Sequence, residues 1–418
     1  MIDQINLQTI RAQSSQEAMD WENRYGAHNY HPLPVVLDRG QGVHLWDLEG
    51  NRYFDFLSSY SAVNQGHCHP KIVDAMITQA QRLTLTSRAF YNSRLGEFEK
   101  MICEMLGYDK VLAMNSGAEA NETAIKLARK WAYQVKGVPE NQAKIVAVTN
   151  NFHGRTLGVI SASSEESSTA QFGPFMPGYT MIPYNDLWAL EIALQDPNVC
   201  AFWVEPIQGE AGVIIPDEGY LSGAKKLCEK YNALFMADEV QTGMCRTGKM
   251  LACDHELVRP DVLILGKAIS GGTMPVSAVL ADDEIMLTIK PGEHGSTFGG
   301  NPVACAVAIA SLQVLVEEDL ADKAHRLGKV FRTQMEELQM KLPMVRAVRG
   351  RGLLNAVEIE PANGVTAWEV CVEMMNNGLL AKPTRQDTIR FAPPLVITES
   401  QVLECCHIIE KSIINLFN

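Results

Sequence analysis

The chain has 418 residues, of which 46% are hydrophobic and 20% charged, a composition typical of a globular protein. This length is too great for one simple core and predicts two domains that share one site. The formal net charge of −13 argues against nucleic acid as a partner, because phosphate binding requires a basic surface.

The N-terminal sequence and the cysteines bear on location. No apolar run is long enough to cross a bilayer, so we expect no membrane association. The first residues lack the pattern of a secretory signal, and Asp3, Glu17 and Asp20 make them a poor mitochondrial presequence. Ten cysteines without a repeated spacing predict reduced thiols. We expect a cytoplasmic protein; a mitochondrial matrix location is open only if a presequence is missing from this chain.

The chain starts with an N-terminal segment, residues 1–50, which is polar and then turns β-like around Glu49-Gly50. The sequence His67-Cys68-His69 looks like a metal cluster. Neighbouring residues of an extended segment face opposite ways, however, and Pro70 opens a helical pattern. We therefore favour a helix entry and predict no metal site.

A large domain, residues 51–302, is predicted from short apolar strands that alternate with amphipathic helices. On the first of these helices, one stripe is apolar: Ala120, Ala124, Leu127, Ala128, Trp131 and Val135. The strand sequences are KVLAM, KIVAVT, AFWVE, ALFMAD, DVLILG and VSAVLA. Such strands predict an α/β fold with a mostly parallel sheet, in which ligands bind at the carboxyl ends of strands. Residues 303–418 begin with one long helical pattern and predict a smaller α+β C-terminal domain.

Two charged residues end strands of this sheet. Lys267 follows VLILG, and a lysine there is costly to bury unless its amine is used, for example in a Schiff base. Asp238 ends ALFMAD and could pair with a protonated ring nitrogen. Each also has a plainer interpretation: a lysine that reaches the surface and an aspartate that caps a turn.

Other strand ends carry further candidates. Ser116-Gly117-Ala118 precedes a helix, where free N–H groups and the helix dipole bind phosphate, although a simple helix cap is equally consistent. Phe152 could stack on a planar ring, and Arg155 could bind a carboxylate. Glu205 and Glu210 follow another strand and could equally be solvated loop charges.

Together these residues indicate one cofactor. A covalent anchor, a ring-nitrogen partner, a phosphate cradle, a stacking face and a carboxylate anchor all follow strands of one sheet. Pyridoxal 5′-phosphate (PLP) requires this set.

The motifs NSGAEANETAIKLAR, NFHGRT, EPIQGEAG, ADEVQTGMCRTG and GKAISGG resemble those of the class III, fold-type I PLP-dependent aminotransferases. The segments SSYSAVNQGHCHP and KPGEHGSTFGGNP narrow the resemblance to the ornithine aminotransferases within that class. The resemblance implies that Lys267 and Asp238 are catalytic. It also implies a homodimer or higher homo-oligomer with L-ornithine and 2-oxoglutarate as substrates.

The resemblance further implies site residues that the strand pattern does not reveal. Phe152 and Val240 would enclose the ring, Gln241 would contact its hydroxyl, and Ser296 and Thr297 would reach the phosphate. The implied substrate-binding residues are Tyr30, Tyr60, Arg155, Glu205, Glu210 and Arg390, with a Glu210–Arg390 pair that masks the arginine for one substrate. His153 departs from the tryptophan of animal ornithine aminotransferases, whereas histidine is common elsewhere in class III.

Three alternatives stay open on the sequence. Another class III enzyme would act on N-acetylornithine, 4-aminobutyrate or lysine. A PLP-dependent racemase or decarboxylase would share the fold but need no amino acceptor. A structural oligomer with an inactive site is the third.

Overall fold

The structure is a computed structural model that describes residues 11–362 and 364–417. Asp3, used above in reading the N-terminus, lies outside these residues. The strands are, in chain order, β1 (Leu37–Gln41), β2 (His44–Asp47), β3 (Arg52–Asp55), β4 (Lys110–Met114), β5 (Lys144–Val148), β6 (Tyr179–Ile182), β7 (Val199–Val204), β8 (Leu234–Asp238), β9 (Val262–Leu265), β10 (Ser277–Ala281), β11 (Val345–Arg351), β12 (Leu354–Ile359), β13 (Leu379–Leu380), β14 (Lys382–Pro383) and β15 (Thr388–Phe391).

The helices flank these strands. They are α1 (Ser15–Tyr25), α2 (Ser58–Ser61, a single turn), α3 (Pro70–Ala80), α4 (Leu95–Leu106), α5 (Gly117–Trp131), α6 (Leu157–Ile160), α7 (Glu166–Thr169), α8 (Leu187–Leu194), α9 (Tyr220–Lys230), α10 (Asp283–Met286), α11 (Pro302–Glu317), α12 (Leu320–Lys341), α13 (Ala367–Asn376) and α14 (Glu399–Phe417). Short 3₁₀ helices cover Ala252–Glu256 and Lys267–Ser270.

The central sheet has seven strands in the order β4-β10-β9-β8-β7-β5-β6. All neighbours are parallel except β10, which is antiparallel to both β4 and β9. Because β10 alone is reversed, the carboxyl ends of the other six strands lie at one edge. The predicted α/β fold with a mostly parallel sheet is confirmed; β6 had no strong sequence signal.

Two smaller sheets complete the molecule. β1, β2 and β3 form an antiparallel meander, and the hairpin predicted around Glu49-Gly50 joins β2 to β3. β3 also pairs in parallel with β13, so the strand that follows the hairpin is hydrogen-bonded to the C-terminal region. The third sheet has the antiparallel order β11-β12-β15-β14. The division into residues 1–50, 51–302 and 303–418 stays a prediction.

Two helix predictions need correction. The single long helix expected after residue 303 is two helices, α11 and α12, because Asp319 has a left-handed φ of 52° that no α-helix continues through. Val135 was placed on the buried stripe of α5, but it is 43% exposed. A π-helical turn at Ala132–Lys136 follows Trp131 and moves Val135 out of phase with the stripe.

Candidate active site

A cavity of about 190 Å³ opens at the carboxyl edge of the central sheet. Lys267, Asp238, Phe152 and Glu205, which the sequence placed after four different strands, all line it. It is also lined by Gly117, Ala118, Val240, Gln241, Asn121, His153 and Gly154. The structure therefore brings together the strand-end residues that the sequence singled out.

Lys267 stands directly after β9 on a backbone with a left-handed φ of 42°. Burial lowers the pKa of its amine, while the carboxylate of Glu210 acts in the opposite direction. Among the described residues, its Nζ has no hydrogen-bond or ion-pair partner. Burial therefore shifts this amine toward its neutral form, and a neutral amine is the nucleophile that forms a Schiff base.

Asp238 lines the same cavity and is 4% exposed. Its Oδ2 accepts hydrogen bonds from Asn121 Nδ2 at 2.9 Å and from His153 Nδ1 at 2.7 Å, and its Oδ1 accepts one from the Val240 amide at 3.0 Å. A carboxylate has about four acceptor positions, so one remains for a ligand.

The N-terminus of α5 forms the end of the cavity. Ser116 is its N-cap in a capping box with Glu119, whose carboxylate accepts the Ser116 amide at 2.9 Å. In the described part of the chain, the next two amides, of Gly117 and Ala118, have no acceptor. A Cβ at Gly117 would come within 2.9 Å of Val240 Cγ1, so glycine keeps this space open. Free amides at a helix N-terminus fit a phosphate.

The cavity thus matches PLP in the chemistry of its donors. Its amine, carboxylate and amide pair can serve the aldehyde, ring nitrogen and phosphate, and Phe152 and Val240 supply apolar walls. Glu205 is 5% exposed and accepts the Phe152 amide at 2.7 Å. Burial and the nearby Asp238 raise the pKa of Glu205 well above its ordinary value, which favours its neutral form.

A second group of predicted residues adjoins the cavity. Glu210 Oε1 lies 2.7 Å from Arg390 Nη1, and Gln241 bridges the two, donating to Glu210 at 3.0 Å and accepting from Arg390 at 3.1 Å. Arg390 is 2% exposed and its guanidinium lies 4.8 Å from the centre of the Tyr60 ring. Burial raises the pKa of Glu210, but the Arg390 and Lys267 cations outweigh it and hold that pKa at about 2.

The remaining predicted residues lie farther out. Arg155 is exposed at an adjoining cavity of about 590 Å³, with its guanidinium 5.3 Å from the Phe152 ring centre. Tyr30 is 73% exposed. Ser296 accepts a hydrogen bond from Asn115 Nδ2 at 2.7 Å, and Thr297 is exposed. In the single chain, Tyr30 and Thr297 are not gathered into the cavity.

His67-Cys68-His69 has a structural explanation. Helix α3 begins at Pro70, as predicted, and the two imidazoles bond to separate carboxylates: His67 to Asp55 at 2.7 Å and His69 to Glu318 at 2.9 Å. Within residues 11–362 and 364–417, no group of three potential ligands could hold a metal ion. In the same part of the chain, no helix is both long and apolar enough to span a membrane.

The sequence did not single out Asn121 or Trp203. Asn121 is 1% exposed on the apolar face of α5, and Trp203 in β7 is fully buried with its ring stacked on His153 at 3.7 Å. The available signal was a polar residue on an apolar helical stripe, which is costly unless it is hydrogen-bonded.

Comparisons with known proteins follow this geometry. The family model of class III aminotransferases matches residues 25–413. The mitochondrial ornithine aminotransferase of Rattus norvegicus is 60% identical over 404 residues, which are 96% of this chain and 91% of that protein. The ornithine aminotransferase of Toxoplasma gondii has a similar structure, with a TM-score of 0.95 and 48% identity over 97% of this chain and 96% of that one.

An acetylornithine aminotransferase from Elizabethkingia anophelis is also similar, with a TM-score of 0.89 and 56% identity over 97% of this chain and 100% of that one. All of these proteins are aminotransferases, and the family match covers most of the chain. The cofactor of this family is PLP, in keeping with the donors that line the cavity. The chain belongs to the class III aminotransferases.

Proposed function

We propose that this chain transfers the δ-amino group of L-ornithine to 2-oxoglutarate. The products are glutamate and glutamate 5-semialdehyde, which cyclises to pyrroline-5-carboxylate. The proposal depends on the ion pair between Glu210 Oε1 and Arg390 Nη1, which are 2.7 Å apart. The rat and Toxoplasma proteins, named as ornithine aminotransferases, support the same substrate.

In this proposal the cofactor is held by residues at both ends of the cavity. PLP supplies an electron sink for the carbon that loses its proton. Lys267 would anchor the aldehyde through its Nζ, and Asp238 would pair with the ring nitrogen. Phe152 and Val240 would pack against the ring faces, and Gln241 would contact the ring hydroxyl. Ser116, Gly117 and Ala118 would hold the phosphate.

Lys267 also moves the proton. Its Nζ would take the proton that the δ-carbon of ornithine loses and hold it until it is returned. A general base must be unprotonated and close, and burial of Lys267 lowers its pKa in that direction. The second half of the cycle uses the same Nζ in reverse order.

The α-carboxylate of ornithine is proposed to bind at the opposite side from Lys267. Tyr60 is one proposed partner, and its ring lies 4.8 Å from the Arg390 guanidinium. Burial raises the pKa of its hydroxyl, so the hydroxyl stays a hydrogen-bond donor at neutral pH. Tyr30 and Arg155 are the other proposed partners, with Glu205 lining the pocket. Arg155 supplies a charge on an exposed side chain that is free to turn toward a carboxylate.

The Glu210–Arg390 pair is proposed to distinguish the two substrates. With Arg390 neutralised, ornithine finds no free cation that could bind its carboxylate in the wrong orientation. When 2-oxoglutarate enters, its carboxylate replaces Glu210 on Arg390 and forms an ion pair of equal charge. One pocket can then accept a cationic and an anionic substrate end in turn.

A homodimer is proposed to complete the site. Thr297 is exposed, and its neighbour Ser296 is tied to Asn115 beside the α5 N-terminus. Thr297 would reach the phosphate bound by a second copy. Light scattering should give the mass of at least two chains, and Thr297→Ala should weaken PLP binding; a fully active monomer would contradict the proposal.

A second candidate is transamination of N-acetylornithine, favoured by the similarity to the Elizabethkingia protein. The test compares kcat/KM for L-ornithine, N-acetylornithine, 4-aminobutyrate and lysine, with 2-oxoglutarate as acceptor. We expect ornithine to be preferred, with one glutamate formed per pyrroline-5-carboxylate. A preference for N-acetylornithine would replace the first proposal with the second.

We also propose that the protein works in the cytoplasm. The cysteines of the described residues are free thiols, most of them buried, as expected in a reducing compartment. The rat relative carries the name of a mitochondrial protein. Fractionation of cells that express the natural gene separates the two locations.

A further inference from the structure

Asn121 occupies the point where three parts of the cofactor cavity meet. It lies one turn into α5, is 1% exposed, and stands among the apolar side chains of that helix. Its Nδ2 is 2.9 Å from Asp238 Oδ2, 3.0 Å from the Gly117 carbonyl oxygen and 3.1 Å from the His153 carbonyl oxygen. One amide group therefore contacts the carboxylate, the phosphate-binding turn and the loop behind Phe152.

Trp203 fixes the orientation of this amide. Its Nε1 donates to Asn121 Oδ1 at 3.0 Å, and its ring lies fully buried in β7 against His153. If the amide were turned over, its oxygen would face three acceptors and its NH₂ would face the indole donor. Such an arrangement is strongly unfavourable, because each buried polar group that loses its partner keeps the full cost of its desolvation. The amide thus has one orientation, with its donor toward Asp238.

The contact restrains the carboxylate that faces the ring. Asp238 has three donors, and two of them, Asn121 and His153, bind the same oxygen. His153 is itself held by Asn121 through its carbonyl and by Trp203 through stacking. Loss of the Asn121 donor would loosen both the carboxylate and the histidine that supports it.

We propose that Asn121 is a positioning residue that aligns Asp238 with the ring nitrogen of the cofactor and ties this alignment to the phosphate-binding N-terminus of α5. The inference rests on the proposed pairing of Asp238 with the ring nitrogen. Asn121 acts through Asp238 and touches neither substrate nor the reacting carbon. Its removal should weaken cofactor binding at the ring nitrogen specifically.

The test uses Asn121→Ser. A serine hydroxyl can still bond to the carbonyl of residue 117, four positions earlier in the helix, but is too short to reach Asp238. Apoenzyme is titrated with PLP and with its deaza analogue, in which carbon replaces the ring nitrogen. The unfolding temperature of each apoprotein is measured in parallel. Asn355→Ser is the matched control, since Asn355 is a fully buried amide that accepts from Arg332 at 2.7 Å, away from this cavity.

We expect wild type to bind PLP more tightly than the deaza analogue, and Asn121→Ser to lose about ten-fold in PLP affinity, or about 1.4 kcal/mol, with little change for the analogue. Asn355→Ser should lower the unfolding temperature but keep the PLP affinity of wild type. If Asn121→Ser lowers stability yet keeps the wild-type preference for PLP, Asn121 is only structural and the inference is overturned. If wild type binds PLP and the deaza analogue equally, Asp238 does not pair with the ring nitrogen. The inference that Asn121 aligns Asp238 then fails as well. If Asn121→Ser does not fold, Asn121→Thr must show the same selective loss, because its hydroxyl can likewise bond to the carbonyl of residue 117 but is too short to reach Asp238.

Discussion

Replacing Glu210 with glutamine should shift the enzyme's preference between its two substrates. Glu210→Gln keeps the shape of the side chain but removes the charge that neutralises Arg390, 2.7 Å away. Arg390 is 2% exposed, so solvent screens its freed charge poorly. A permanently available cation should attract the carboxylate of 2-oxoglutarate and compete for that of ornithine.

The size of the effect follows from the pKa of Glu210. That pKa lies at about 2, against an ordinary value of 4.5, because Arg390 and Lys267 outweigh the cost of burial. At about 1.4 kcal/mol per pKa unit, the net stabilisation of the charged Glu210 by its surroundings is about 3.5 kcal/mol. The Glu210 side chain is 27% exposed, so screening reduces this to about 1–2 kcal/mol, or roughly ten-fold in a rate or binding constant.

The same pKa sets the pH behaviour of the pair. A carboxyl whose pKa is lowered in the folded protein contributes stability above its unfolded pKa of 4.5 and loses it as pH falls toward 2. Between pH 5 and pH 9, Glu210 stays charged. The pair must therefore be opened by a competing carboxylate, and the ratio of the two half-reactions should show no dependence on Glu210 titration in this range.

The assay measures each half-reaction alone by stopped-flow absorbance of the bound cofactor. In Glu210→Gln we expect kcat/KM for ornithine to fall about ten-fold and the KM for 2-oxoglutarate to fall. Glu165→Gln is the matched control, because Glu165 and Glu210 both line the adjoining cavity of about 590 Å³. The Glu165 carboxylate is 45% exposed and lies 4.0 Å from Arg385, so it forms no close ion pair. If the two variants change the ratio of the half-reactions equally, the pair has no role in substrate choice.

Three further predictions test the site and the core. Lys267→Ala should retain its fold but lose turnover and the absorbance band of the covalently bound cofactor. A residual steady-state rate above about 1% of wild type would contradict the proposed role of Lys267 in proton transfer. Phe331→Ala removes a ring that is 1% exposed and lies 5.5 Å from the ring of Phe391. Urea unfolding should show that the free energy of unfolding falls by about 3–5 kcal/mol. A decrease below about 1 kcal/mol would show that the core closes over the gap. Burial lowers the pKa of His255 to about 4, so the free energy of unfolding should fall as pH decreases from 6.5 to 4. In His255→Asn, the difference between the free energies of unfolding at pH 7 and pH 5 should be smaller than in wild type.

The residues at strand ends could be located from sequence because parallel strands impose a rule. Six strands that run one way place their carboxyl ends at one edge, so Lys267, Asp238 and Phe152 had to lie near one another once the strands were identified. The capping Ser116 and the open Gly117 were recognisable from helix-start chemistry. Local pattern was sufficient for these residues.

Contacts between segments that are distant in sequence could not be predicted from local sequence pattern. Glu210 and Arg390 are 180 positions apart, and only the likeness to a family paired them. The Asn121 contacts with Asp238 and Trp203 depend on how α5 lies across the sheet, which no local pattern encodes. The break at Asp319 escaped the helical pattern because most of the flanking residues are good helix formers.

The turn that carries Tyr60 shows how the chain supports an unfavourable backbone. Residues 58–61 all have left-handed φ values, from 46° to 77°, and none is glycine. Each such residue costs on the order of 1 kcal/mol or more, so the turn must be held from outside. Asp55 Oδ1 accepts the amides of Leu57 at 2.8 Å and Ser58 at 2.9 Å, and His67 binds its other oxygen.

The hydrogen bond to Asp55 gives His67 a structural role that does not require a metal ion. By holding Asp55, His67 holds the amides that begin the turn, and the turn sets the Tyr60 ring 4.8 Å from Arg390. His67→Phe should therefore act at a distance, raising the KM for ornithine more than it lowers kcat, whereas added zinc or chelator should change neither. A loss of kcat that zinc restores would show that the histidine serves a metal after all.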